Sequence, residues 1–239
     1  MTVLSLAEGE ISDRDRPKFL NFLILLTGKD PVRVVEHRIY LASPVGFEQS
    51  TYIMKIHNNI TGLTPQDVQE SDGWKLISLG RDNPQETIFT LRSMQVHDIE
   101  SANPLALLTE IGFSYDFEVV RIGYEFIHPS GIRIQIYSPF RVENQYDLSS
   151  MKQPRIAIQS HLSPISSSSQ IYPSNQYIEK QNNEEIEVWT VEARRIVKTC
   201  DIEKAKASLM NILNAIIPYS KMKKQLKLRK DLYKIPPST

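Results

Sequence analysis

One run constrains this chain more than any other: LTEIGFSYDFEVVRIGYEFIHPSGIRIQIYSPFRV, residues 108–142. Phe113, Tyr115, Phe117 and Val119 alternate with Ser114, Asp116 and Glu118, the two-residue period of a strand with two distinct faces. Past Gly123 the apolar set moves to Tyr124 and Phe126, and this change of phase predicts a tight turn or bulge at the glycine. His128-Pro129-Ser130-Gly131 offers the proline and glycine of a hairpin turn, and Ile132, Ile134 and Ile136 line the returning strand up to Pro139. The run therefore reads as a helix end followed by three strands of antiparallel sheet. It carries almost none of the residue types that do chemistry.

The rest of the chain repeats the rhythm. Val3 to Ile11 reads as a first strand, after which Asp13 or Asp15 offers a helix cap with Pro17 in the first turn. Phe19, Phe22, Leu23 and Leu26 recur at helical spacing until Gly28 stops them. In VRVVEHRIYLA, Val35, His37, Ile39 and Leu41 share one face, while Glu36, Arg38 and Tyr40 take the other. YIMKIH, WKLISLG and TIFTLRSMQV follow as strands separated by loops such as NNITG and GRDNPQ, with no helical crossovers, so the pairing is antiparallel. Asn103, Pro104 and Gly112 bracket a short helix, EIEVWTVEARRIV resumes the sheet, and Asp201 caps a last helix. The apolar face of that helix is Ile202, Leu209, Ile212, Leu213 and Ile216, ending at Pro218.

These elements predict a mainly β (α+β) fold: an antiparallel β-barrel with flanking helices, closed or nearly so because no strand reads as a convincing edge. Residues 1–142 form the first part of a single barrel domain. Residues 143–184 form a Ser/Gln/Asn-rich insertion, disordered in part because 163–184 cannot offset its ordering entropy by burial. Residues 185–220 supply the closing strand and C-terminal helix, and 221–239 a basic tail.

Chemistry is sparse. Lys+Arg and Asp+Glu balance at 28 each, so no overall field steers the chain toward nucleic acid or an anionic membrane. The lone Cys200 can make no internal disulfide and reads as a small filler in a reducing compartment. No signal peptide is evident and FLNFLILL is too short to span a bilayer, which predicts a soluble intracellular protein. The histidines at 37, 57, 97, 128 and 161 show no metal-binding spacing, and His37 reads as a satisfied core histidine. Gly-rich phosphate loops, GxSxG and CxxC are absent.

The one enzymatic constellation is acidic. Glu8 with Glu10 and Glu185 with Glu187 stand two apart, so each pair shares a strand face. Two such pairs inside a barrel could hold a divalent cation, as in a metal-dependent tunnel-type triphosphatase. Ser12 stands where such an enzyme has lysine, and Trp189, Val191 and Ala193 continue the late face as apolar lining. Solvent-facing charges near strand ends are the favoured reading, with no catalytic residues, metal or cofactor. The cluster Lys221, Lys223, Lys224, Lys227, Arg229 and Lys230 fits a nuclear-import signal or a solvated helix end better than a single-strand binder, since only Tyr233 could stack.

The 108–142 run resembles the signature region of subunit 18 of the Mediator complex of RNA polymerase II transcription. The matching positions are Ile111, Gly112 and Phe113; Asp116 to Glu118; Gly123; Ile132 to Ile136; and Phe140-Arg141. The opening strand and helix, and the closing strand and helix, follow the order of that family. The resemblance implies a barrel related to that of the tunnel triphosphatases but without catalytic activity, in a nuclear coactivator. It also implies pairing with Mediator subunit 20, receipt of the C-terminal helix of subunit 8, and contact with RNA polymerase II through the head module. Tyr115, Phe117, Tyr124, Phe126, Ile134 and Ile136 are candidate partner-binding residues. Alternation leaves open whether they face a partner or the barrel core.

Overall fold

The computed structural model describes residues 2–44, 49–83, 89–152 and 188–220. In chain order the elements are β1 (Thr2–Ser12), α1 (Arg16–Thr27), β2 (Val32–Ala42), β3 (Ser50–His57), α2 (Pro65–Gln69), β4 (Lys75–Asp82) and β5 (Thr90–Asp98). They continue with α3 (Pro104–Glu110), β6 (Ser114–Ile127), β7 (Arg133–Val142), β8 (Met151–Lys152), β9 (Val188–Lys198) and α4 (Ile202–Ile216). Every strand pairing is antiparallel, in the order β6-β2-β3-β4-β5-β1-β9-β7, and β7 pairs back onto β6. The sheet thus closes on itself and leaves no long edge for another chain to template on. The two-residue β8 extends the end of β7.

Closure gives the wall an inside and an outside, and alternation assigns each residue to one of them. On β2, Glu36, Arg38 and Tyr40 point into the lumen and Val35, His37, Ile39 and Leu41 point out, with Val35, Ile39 and Leu41 in an outer core and Tyr40 in the inner one. The inner apolar cluster combines Leu4, Leu6, Tyr40, Tyr52, Ile77, Leu79, Phe117 and Val119. Outside, α1 and α4 lay Phe19, Leu23, Leu209, Leu213 and Ile216 over Phe126, Ile134, Ile136, Val191 and Ala193. Each such aliphatic side chain contributes roughly 1.5–3 kcal/mol on burial, which is why α4 keeps one apolar face. A second outer core lies under α2 and α3, where Trp74, Leu105 and Leu108 pack with Tyr146 and Leu148 on Val35 and Ile39.

Local signals explain the helix ends. Gly28 closes α1 in the left-handed region at φ 67°, and Asn103 Oδ1 accepts the Ala106 N–H at the start of α3. The short α2 falls where the sequence reads as loop, although Thr64 and Asp67 form a reciprocal capping box there.

Three expectations need correction. The 108–142 run folds as two strands, not three, because β6 passes straight through Gly123. The register slips upstream instead: Tyr40 faces Phe117 while Leu41 faces Tyr115, leaving Asp116 as the extra residue. Both faces of β6 are covered, so Phe117 and Val119 inside and Val120 and Phe126 outside look like a change of phase. Gly123 is needed for closeness: a Cβ there would overlap the Ile136 carbonyl oxygen on β7. On β9, Val191 and Ala193 belong to the outer core rather than the lumen, which receives Glu192 and Arg194. Cys200 is exposed and is no filler. Among the described residues, no helix is long and apolar enough to cross a membrane.

Candidate functional site: the barrel lumen

The lumen is half apolar and half ionic. Beside the inner apolar cluster, β2, β6 and β9 send Glu36, Arg38, Arg121, Glu125, Glu192 and Arg194 inward, and all except Arg194 are buried. Arg38 Nε donates to Glu36, and Arg121 Nη1 and Arg194 Nη2 stand 3.8 and 3.9 Å from the same carboxylate. Glu192 accepts from Arg121 at 3.0 Å and from Arg194 at 3.3 Å. Glu125 accepts from Arg133 at 2.8 Å and Gln135 at 3.0 Å, with Arg194 at 3.4 Å. The Arg121 and Arg38 guanidiniums also lie over the Tyr137 and Tyr52 rings, 4.4 and 4.9 Å from their centroids.

Burial alone would raise the Glu36 carboxyl, yet Arg38, Arg194 and Arg121 outweigh it and hold its pKa at about 2. Glu192 is likewise held low against its burial by Arg121 and Arg194. The three guanidiniums are in turn held charged above their ordinary range, against burial, chiefly by neighbouring carboxylates and, for Arg121, by Tyr137. Every one of these inward charges has an opposite partner.

This donor set does not fit a catalytic cation. A divalent ion needs several oxygen ligands converging on it, whereas Glu36, Glu125 and Glu192 each face guanidiniums. Among the described residues, no three His, Cys, Asp or Glu side chains stand close enough to hold a metal. Glu8 does face the lumen, where the Tyr137 hydroxyl donates to it at 3.2 Å. Glu185 and Glu187 lie outside the described residues, as do Lys221, Lys223, Lys224, Lys227, Arg229 and Lys230.

A second buried polar cluster lies on the outer face of the same wall. His37 Nε2 donates to Glu118 Oε1 at 2.7 Å, and its Nδ1 shares a hydrogen bond with His57 Nε2 at 3.3 Å. Glu118 Oε2 accepts the backbone N–H of Tyr146, a residue at φ 61°. His37 is thus the satisfied core histidine its strand position predicts, and its partner Glu118 fastens the segment after β7 to the barrel at the Tyr146 backbone.

Of the six candidate partner-binding residues, Phe117, Phe126, Ile134 and Ile136 are buried within the chain itself. Phe117 lies in the lumen, and the other three lie beneath α1 and α4. Tyr115 and Tyr124 are half-buried at the borders of the outer cores. The lumen network escaped the sequence reading because its charges sit one per strand turn on four separated stretches. The visible signal was Glu36 and Arg38 on one face of an otherwise apolar strand.

Fold and lumen together define a class: a closed antiparallel eight-stranded barrel with flanking helices and internally compensated lumen charges. A family model described as Med18 protein matches residues 64–198, more than half of the chain. The chain belongs to the Med18 family, subunit 18 of Mediator, to which the 108–142 run also pointed. Among solved structures, it is similar to a chain of the Schizosaccharomyces pombe Mediator head module, at 14% identity and TM-score 0.63 over 94% of this chain and 98% of that one. It is also similar to the PH1819 protein of Pyrococcus horikoshii OT3, at 12% identity and TM-score 0.47 over 87% and 88% of the two chains. A mimivirus capping enzyme triphosphatase matches at 9% identity and TM-score 0.48 over 90% and 89%. No curated protein matches the chain.

Proposed function

We propose that the chain is a non-catalytic subunit of the Mediator head module that works in the nucleus as a scaffold. In this reading it pairs with Mediator subunit 20, receives the C-terminal helix of subunit 8, and contacts RNA polymerase II within the assembled complex. The family match over residues 64–198 carries the reading. The lumen supports it, because Glu36, Glu125 and Glu192 face arginines instead of converging on one point where a metal and its phosphate substrate would sit. Tyr115 and Tyr124 keep their place as candidate anchors, with Phe117, Phe126, Ile134 and Ile136 supporting the surface from below. Residues 143–184 act as an insertion, and the 221–239 tail serves nuclear import.

Co-expression with tagged subunits 8 and 20 tests this reading. Stoichiometric recovery of the chain at native salt is expected, and recovery of neither subunit would overturn it. The same purified protein is expected to release no phosphate from tripolyphosphate with Mg²⁺ or Mn²⁺ present. Metal-dependent turnover that disappears on Glu187→Ala would reinstate the triphosphatase.

A further inference from the structure

One mouth of the barrel carries a ring of exposed aliphatic side chains. The strand registers bring one end of each long strand to that mouth: Val32 beside Glu125, Ile127 beside Arg133, Arg133 beside Arg194, and Ile196 beside Leu4. The ring continues through Thr2 beside Met94, Val96 beside Ile77, Lys75 beside Met54, and Ile56 beside Glu36. Val32, Ile56, Val96, Ile127 and Ile196 all stand on the lumen-facing alternation of their strands, in step with Glu36, Met54, Met94, Glu125 and Arg194. Their exposure lies between 41% and 62%, and they make up half of the large apolar residues exposed among the described residues. The other half divides between the α1/α4 side and α3. A lumen-facing position is where such side chains would ordinarily be covered, so five uncovered together form an unfinished core rather than scattered surface residues.

The neighbouring charges say what could cover them. Lys75 pairs with Asp98 at 2.6 Å, Arg133 with Glu125 at 2.8 Å, and Arg194 with Glu192 and Glu125. Lys198 at the β9 corner and Arg92 beside Leu4 add two positive charges, far fewer than a polyanion site gathers. The space beneath, between Leu4, Leu6, Arg38, Arg121 and Ile196, amounts to about 50 Å³. Sites that enclose a small molecule run to roughly 300–1,000 Å³. A molecule of that size finds no such room, and what meets the ring lies across it.

The geometry points to this mouth as a docking collar for an uncharged aliphatic or aromatic segment of a protein partner, which caps the barrel without entering it. The inference rests on the scaffold reading above and names where on the barrel one of those contacts is made.

The test uses the full chain co-expressed with subunits 8 and 20. The double variant Val96→Asp, Ile196→Asp places charge on the collar, while Leu25→Asp, on the outer face of α1, is the control. The collar variant is expected to melt with the wild type yet lose capture of one subunit by roughly tenfold or more, as removal of a central apolar anchor does. Leu25→Asp is expected to bind as wild type. If the aspartates prevent folding, Val96→Ser, Ile196→Ser decides, with a smaller loss expected. Equal capture by collar variants and wild type would overturn the collar and leave the scaffold reading standing. A wild-type dimer that the collar variant dissolves would overturn it too, since the occupant would then be a second copy. Displacement of the subunits by tripolyphosphate would overturn the choice of an uncharged segment. Failure of the wild type to capture either subunit would bring down the scaffold reading and the collar together.

Discussion

Three consecutive residues, Glu36-His37-Arg38, supply two different kinds of buried polar site. Glu36 and Arg38 enter the lumen, where they pair with each other and Glu36 also faces Arg194 of β9, a strand that is not a neighbour of β2 in the sheet. His37, between them, points outward, where it and Glu118 tie the wall to the backbone of residue 146. The lumen holds charges that neutralise one another, and the outer cluster fastens a segment. The difference teaches that buried ionic groups need not mark chemistry. Once a barrel has drawn carboxylates inside, arginines on facing strands can turn a potential metal site into part of the packing.

The largest effect should come from breaking the lumen on one side only. Glu36→Gln leaves Arg38, Arg121 and Arg194 inadequately compensated inside the barrel, and urea unfolding should show a loss of about 3–5 kcal/mol. A loss under about 1 kcal/mol would mean that the lumen charges are solvated and that the two clusters do not differ as described. Next comes Glu118→Gln. The neutral amide has one acceptor oxygen where the carboxylate had two, so the charge-assisted bonds to His37 and the Tyr146 N–H weaken, at about 1–3 kcal/mol. Hydrogen exchange separates the two: Glu118→Gln should speed exchange at the Tyr146 amide, and Glu36→Gln should leave it protected relative to global unfolding.

Acid should take the clusters apart in order. Burial, then the neighbouring His37 and Lys55, push His57 from 6.5 down to about 4. Its folded pKa is depressed, so its contribution is complete above about pH 6.5 and is lost as the pH falls toward 4. Glu36, at about 2 against an ordinary 4.5, contributes fully above pH 4.5 and loses its share only as the pH falls toward 2. Unfolding free energy plotted against pH should therefore descend in two ramps. His57→Gln should flatten the upper ramp and spare the lower one.

Much of the barrel was legible in the chain. The alternation in VRVVEHRIYLA, the Pro104 and Gly112 brackets and the 128–131 hairpin all follow from local sterics, and each stands where the sequence places it. What the chain could not show was which face of a two-faced strand turns inward. On β6 and β9 both faces are covered, by the lumen contents on one side and by helices on the other, so hydropathy gives no direction. For that reason Val191 and Ala193 read as lumen lining although they lie outside, and the phase change at Gly123 reads as a turn or bulge although the bulge lies at Asp116. The compensating arginines were equally hidden. Arg38, Arg121 and Arg194 are far apart in sequence, and only closure brings them to the same carboxylates.

The smallest effect belongs at the edge of the ionic half, where the comparison can be sharpened within the lumen itself. Arg133 pairs with Glu125 at 2.8 Å but is half exposed, and Glu125 keeps Gln135 and Arg194 when it is gone. Water can replace what Arg133 supplied, so Arg133→Ala should lower stability by less than about 1 kcal/mol, and by less still in high salt. Deeper in the barrel, water does not replace Arg121: its loss leaves the buried Glu36 and Glu192 with only Arg38 and Arg194 for compensation. A double-mutant cycle between Arg133 and Glu125 should accordingly return a small, salt-sensitive coupling, and one between Arg121 and Glu192 a large, salt-insensitive one. Equal couplings would mean that water reaches both depths alike, and the distinction between a sealed lumen and its open mouth would fail.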